Sequence, residues 1–121
     1  MKISDSEYEV MNIIWACHPI GSKEIIEQLE TIKDWTPQTI KTLINRLMKK
    51  GVIDFRKEGR FYFYSPLLEK EIFLRDENSS FLKKFYNNSI SQVVNHLVQQ
   101  SEISKDEIAA LRKILDGVEN D

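Results

Sequence analysis

A mainly α-helical protein carrying one small β-hairpin is what this sequence predicts, and three observations predict it. Helix start and stop signals bracket short amphipathic segments in the first half of the chain. Two β-rich runs with a glycine between them follow, Val52–Lys57 and Arg60–Ser65. From Leu67 onward, only helical spacing of apolar residues is found.

Ser4-Asp5-Ser6-Glu7 fits a capping box, in which the serine hydroxyl takes an amide of the first turn and the glutamate reaches back. Val10, Met11 and Ile14 follow at helical spacing. His18-Pro19-Ile20-Gly21 ends that helix, because Pro19 disfavours helical geometry at His18. Ser22 then caps a short helix with Ile25, Ile26 and Leu29 on one face, and a connection follows around Thr31–Trp35. Thr36-Pro37 starts a third helix, since threonine caps and proline at the first helical position loses no hydrogen bond. Gly51 after Lys49-Lys50 stops it, because glycine tolerates a left-handed cap and cations suit the C-terminal dipole. The turn Glu58-Gly59 joins the two β-rich runs, and Pro66 closes the second. Phe61-Tyr62-Phe63-Tyr64 is aromatic throughout, so both faces of that strand are expected to have something to cover. Three helices and a hairpin in this order are the winged variant of helix-turn-helix. An N-terminal winged helix-turn-helix domain is therefore expected at 1–67.

Residues 68–121 are expected to form a C-terminal helical dimerisation domain. Ile72, Leu82, Phe85 and Tyr86 lie in a first segment, with an interruption expected near Asn78-Ser79-Ser80. Ile90, Val93, Val94, Leu97 and Val98 make an i, i+3, i+4, i+7, i+8 stripe. A second capping box, Ser104-Lys105-Asp106-Glu107, leads into Ile108, Leu111, Ile114, Leu115 and Val118. A segment this short makes a poor core alone. Pairing two copies would cover Ile90, Val93, Val94, Leu97, Ile108, Leu111 and Leu115. The alternative is packing back onto the N-terminal domain.

The 121 residues carry a formal net charge of -2, unevenly spread. Residues 33–66 hold Lys33, Lys41, Arg46, Lys49, Lys50, Arg56, Lys57 and Arg60 against Asp34, Asp54 and Glu58, which is 8 − 3 = +5. Residues 67–121 hold seven bases and ten acids, 7 − 10 = −3. A local basic surface beside an acidic half fits a DNA-contacting module joined to a partner-binding one. No apolar run approaches the roughly 18 to 20 residues of a membrane span. Met1-Lys2-Ile3-Ser4-Asp5 lacks the apolar stretch of a secretory signal. The single cysteine, Cys17, can form no internal disulfide. No membrane partner and a cytoplasmic location are the expectation.

The third helix carries the functional reading. On a helical wheel at about 100° per residue, Ile40, Leu43, Ile44, Leu47 and Met48 share one arc. Gln38, Thr39, Lys41, Thr42, Asn45, Arg46, Lys49 and Lys50 fill the other, without a single acid. Ordinary amphipathic surface helices mix acids among the bases. Glutamine, asparagine and arginine can each grip a base edge with two hydrogen bonds, and threonine can touch a thymine methyl. Lysines neutralise phosphates and hold the register. Gln38, Thr39, Thr42 and Arg46 are expected nearer the bases, and Lys41, Lys49 and Lys50 nearer phosphates, with Asn45 suited to either. Arg56, Lys57 and Arg60 near the hairpin tip extend the basic surface, although charges there also keep a strand edge from aggregating. Double-stranded DNA is the partner this chemistry selects. The rival class is a winged-helix module that binds protein rather than DNA.

Metal and catalytic readings are weaker. Cys17-His18 and the distant His96 fall short of the three or four closely spaced ligands that zinc needs, and Cys17 is expected as a small core residue. No glycine-rich phosphate loop, H-E-x-x-H or G-x-S-x-G motif occurs. No cofactor and no enzymatic activity are expected.

Three stretches carry a resemblance. They are Glu9-Val10-Met11-Asn12-Ile13-Ile14-Trp15, then Lys33-Asp34-Trp35-Thr36-Pro37-Gln38-Thr39-Ile40-Lys41-Thr42-Leu43-Ile44-Asn45-Arg46-Leu47, then Lys49-Lys50-Gly51. With Ser104–Leu115 they resemble the BlaI/MecI family of penicillinase and methicillin-resistance repressors over nearly the whole chain. The resemblance implies a homodimer on a palindromic operator, repressing β-lactam-resistance or related genes, with recognition positions at Thr36, Lys41, Thr42 and Arg46. It also implies a sensor protease as a candidate partner. Such members are cut at an Asn-Phe bond, whereas the corresponding place here is His96-Leu97, with Asn95 one residue earlier. The copper-responsive branch carries paired C-x-C motifs, and no cysteine follows Cys17 here. A metal-responsive repressor of the same family is therefore the less favoured variant.

Overall fold

The structure, a computed structural model, describes residues 2–119. Its elements run α1 (Asp5–Ala16), β1 (Ile20–Gly21), α2 (Ser22–Ile32), α3 (Pro37–Lys49), β2 (Ile53–Glu58), β3 (Phe61–Pro66), α4 (Lys70–Tyr86), α5 (Ile90–Gln100) and α6 (Lys105–Glu119). The chain divides into two compact units, Met1–Asp76 and Glu77–Asp121. Residues 68–76, assigned from the sequence to the second domain, pack with the first. The Trp15 indole N–H donates to the Leu68 carbonyl at 2.8 Å, and Phe73 is buried against the rings of Tyr8 and Trp15.

The first unit is built around α1, α2 and α3. Val10, Met11 and Ile14 of α1, Ile25 and Leu29 of α2, and Ile40, Leu43, Ile44 and Leu47 of α3 form one buried cluster. It is continued by Ile20, Val52 and Ile53, which lie at or beside the strands. The apolar arc drawn on the wheel is thus the buried face of α3. The Ser4–Glu7 capping box forms in full, with Glu7 N–H donating to Ser4 Oγ at 3.1 Å and Ser4 N–H to Glu7 Oε1 at 2.9 Å.

Four local expectations change. The sheet has three strands in the order β1-β3-β2, all antiparallel. The added strand, β1, pairs Ile20 with Tyr64 and Gly21 with Phe63, covering one edge of β3. Gly21, not Ser22, is the N-cap of α2. The hairpin turn shifts by one residue, since Glu58 pairs with Phe61 and leaves Gly59-Arg60 as the loop. Gly59 alone of these two has positive φ (62°), the pattern of a type II′ turn with glycine first. Cys17, expected in the core, is exposed at the C-cap of α1.

In the second unit α4 runs unbroken through Asn78-Ser79-Ser80, where an interruption was expected. Tyr86 Oη and His96 Nδ1 lie 2.8 Å apart, tying α4 to α5. Of the second capping box only one half forms, Glu107 N–H donating to Ser104 Oγ at 3.1 Å. No residue from 77 to 119 is buried. Ile90, Val94, Leu97, Val98, Ile108, Ile114, Leu115 and Val118 are exposed. Among the described residues, no helix is long and apolar enough to cross a membrane.

Candidate nucleic-acid interface

The interface is assembled from α3 and the β2–β3 hairpin. Helix α3 is closed at both ends by local chemistry. Thr36 is extended, and its Oγ1 accepts from Thr39 N–H at 3.2 Å, with Pro37 opening the helix. At the other end Gly51 has φ 73°. Its N–H donates to the Met48 carbonyl at 3.0 Å, and Val52 N–H donates to the Leu47 carbonyl at 3.3 Å. That pair of bonds is a Schellman closure, with buried Val52 following it.

Between these ends Gln38, Thr39, Lys41, Asn45, Arg46 and Lys49 are exposed, as is Thr36. Among the described residues, Lys41, Arg46 and Lys49 have no ion-pair partner. The threonines are more committed. The hydroxyls of Thr36 and Thr39 lie 3.0 Å apart, and half-buried Thr42 donates its hydroxyl proton to the Gln38 carbonyl at 3.0 Å. Thr42 therefore presents a methyl group and an acceptor, but no donor.

Lys50, expected near phosphates, has an intramolecular partner. Its Nζ lies 2.6 Å from Glu7 Oε1 and donates to the Lys2 carbonyl at 2.9 Å. The Glu7 side chain is only 2% exposed. Burial pushes the Glu7 pKa up, but the Lys50 ammonium and the Ser4 donors outweigh burial and hold the carboxyl below its ordinary range. An ammonium in that position is part of the domain's interior bonding.

The hairpin contributes unequally. Successive strand residues point to opposite faces. Lys57 shares its face with its cross-strand partner Tyr62, and its Nζ lies 5.7 Å from that ring's centroid. Phe55 meets Tyr62 edge to face, with centroids 5.0 Å apart. This face borders α3 across a groove of about 460 Å³ lined by Asn45, Met48, Lys49, Phe55, Tyr62 and Tyr64. Arg56 points to the other face, where it pairs with Glu58 at 2.8 Å. Arg60 is exposed in the loop. The structure thus brings Asn45 and Lys49 of α3 beside the hairpin face that carries Tyr62 and Lys57, and sets Arg56 on the opposite face. Phe55 and Tyr62 were not singled out from the sequence as interface residues. Their alternation in step with Lys57 is the signal that could have found them.

His96 and Leu97 lie in the middle of α5, in the second unit. Both are exposed, and His96 is held by Tyr86 and by Gln100, whose Nε2 is 3.1 Å from His96 Nε2. Among the described residues, no group of three His, Cys, Asp or Glu side chains is placed to hold a metal ion.

The chain matches the family described as penicillinase repressor over residues 3–117. It is 36% identical over 119 residues to the penicillinase repressor of Bacillus licheniformis, covering 98% of this chain and 93% of that one. It is 40% identical over 114 residues to the methicillin resistance regulatory protein MecI of Staphylococcus aureus (strain N315), covering 94% and 93%. A solution structure of the Bacillus licheniformis BlaI monomeric form, in complex with the blaP half-operator, aligns with 59% of this chain and 87% of that one, at 41% identity and a TM-score of 0.53. The chain belongs to the penicillinase repressor family, a family of transcriptional repressors and not of enzymes.

Proposed function

We propose that this chain represses transcription by binding a palindromic operator as a homodimer, with α3 in the major groove and the second unit joining two copies. The genes it controls are those of β-lactam resistance or a related response. The observation that carries this reading is the acid-free exposed face of α3, from Gln38 to Lys49, beside the Lys57 face of the hairpin. Arg46 and Gln38 supply base-edge hydrogen bonds, Thr42 supplies a methyl contact, and Lys41, Lys49, Lys57 and Arg60 supply phosphate contacts.

The dimer is supported by the second unit's exposed side chains. Ile90, Val94, Leu97, Ile108 and Leu115 are exposed, and Val93 and Leu111 are half-buried. Apolar exposure of this extent is usual for a surface that is covered by a partner. A twofold pairing sets two α3 helices on half-sites one helical turn, or a multiple of it, apart. A sensor protease is the further partner of this reading, with His96-Leu97 as the candidate bond.

The test is a mobility shift with DNA from upstream of the chain's own gene against a shuffled sequence of the same length. Sequence-dependent binding that weakens steeply with salt supports the proposal. Equal affinity for both DNAs refutes it.

A further inference from the structure

Two adjacent lysines at the end of α3 have different surroundings. Lys49 is exposed and has no ion-pair partner among the described residues. Lys50 is the C-cap of α3, and its backbone N–H donates to the Arg46 carbonyl at 3.0 Å. Its ammonium bonds to the buried Glu7 carboxylate and to the Lys2 carbonyl. Glu7 Oε1 also accepts from Ser4 N–H, while Oε2 is buried without a partner. Moving Lys50 out to a phosphate would strand that carboxylate, already short of donors, in the interior. Such stranding costs more than one exposed phosphate contact returns.

Resting on the operator-binding reading, we infer that Lys50 is a positioning residue. Its bonds to Glu7 and Lys2 lock the last turn of α3 to the first turn of α1, and so set where Arg46 and Lys49 meet DNA. The clamp joins residues 43 apart in sequence and holds the helix turn that carries those two side chains. Glu7 touches no DNA in this arrangement, yet operator recognition depends on it.

Positioning and direct phosphate contact by Lys50 give opposite signs for Glu7→Gln. If Lys50 were a phosphate ligand restrained by Glu7, Glu7→Gln would free it, tightening DNA binding and steepening the salt dependence. If Lys50 positions α3, Glu7→Gln weakens operator binding and leaves the salt dependence unchanged. The experiment titrates the full-length chain with operator and with shuffled DNA across a salt series, at a temperature where each variant is folded by circular dichroism. Lys49→Met should lower the slope of log K against log salt by about 0.9, the value for one lost phosphate contact. Lys50→Met and Glu7→Gln should each leave the slope unchanged and reduce the operator-to-shuffled affinity ratio by about tenfold. Lys50→Arg, which keeps a cationic donor on Glu7, should restore the ratio. Should Lys50→Met fail to fold, Glu7→Gln still decides, because its amide oxygen can keep the Ser4 bond. A slope loss in Lys50→Met matching that of Lys49→Met, tighter binding by Glu7→Gln, or an unchanged ratio in both variants overturns the inference while operator binding by the unmodified chain stands. Absence of sequence-dependent binding by the unmodified chain overturns both readings.

Discussion

Arg46→Ala tests the proposed base contact of α3. Arg46 is exposed on α3 and, among the described residues, makes no side-chain hydrogen bond or ion pair that its removal would break. Arginine and alanine are both good helix formers, so folding stability should change by no more than about 0.5 kcal/mol. DNA binding should change much more. A bidentate arginine–guanine contact contributes about 1–3 kcal/mol of discrimination. The preference for the operator over an operator altered at the contacted base pair should therefore fall by about 5- to 150-fold, at tenfold per 1.4 kcal/mol. Fluorescence anisotropy with operators substituted one base pair at a time measures this directly. The variant should lose its preference at one position in each half-site and keep the others. Uniform weakening at every position would reassign Arg46 to a phosphate. Full retention of preference, with Lys49→Ala losing it instead, would refute the placement of both side chains.

Three further outcomes follow from the same geometry. Gly51→Ala should destabilise the chain by about 1 kcal/mol in urea denaturation, because φ is 73° there while nothing lies within 4 Å of an added Cβ; an unchanged midpoint would show that the α3 closure does not need the left-handed cap. Leu97→Glu should raise the dimer dissociation constant at least about tenfold in sedimentation, since Leu97 is 52% exposed in the single chain and a carboxylate would be buried without a partner in the pair; an unaffected dimer would move the interface elsewhere. The folded-state pKa of Glu7 lies below its ordinary value of 4.5, so its stabilisation is fully present above that value and is lost as pH falls through the folded-state pKa. Urea midpoints measured from about pH 6 down to about pH 3 should therefore fall less for Glu7→Gln than for the unmodified chain, and equal falls would show that the ion pair does not form.

What could be read from the sequence was what local chemistry decides. Thr36-Pro37 and Gly51 mark the ends of α3 because caps and left-handed closures act within a few residues. The buried and exposed arcs of α3 follow from helical period alone. Strand β1 was missed because Ile20-Gly21 is a strand only while β3 offers it an edge. The single-residue shift of the hairpin turn came from the Glu58–Phe61 pairing, which composition does not specify. Asn78-Ser79-Ser80 was read as a break from residue preferences, and the helix on either side overrides them. The partner of Lys50 was hidden for a similar reason. The neighbours of Lys50 in sequence are basic, while the carboxylate that holds it is 43 residues away. Arg56 and Lys57 looked equivalent until the strand's alternation placed them on opposite faces.

Hydroxyl-radical footprinting on DNA from upstream of the chain's own gene shows whether two copies of α3 read one palindrome. Two protected patches related by twofold symmetry are expected, their centres about 10 base pairs or a multiple of that apart. Both patches should vanish together in Leu97→Glu at concentrations where the unmodified chain fills the site. A single unsymmetrical patch, or protection without sequence preference, would contradict the reading of one palindrome by two copies of α3.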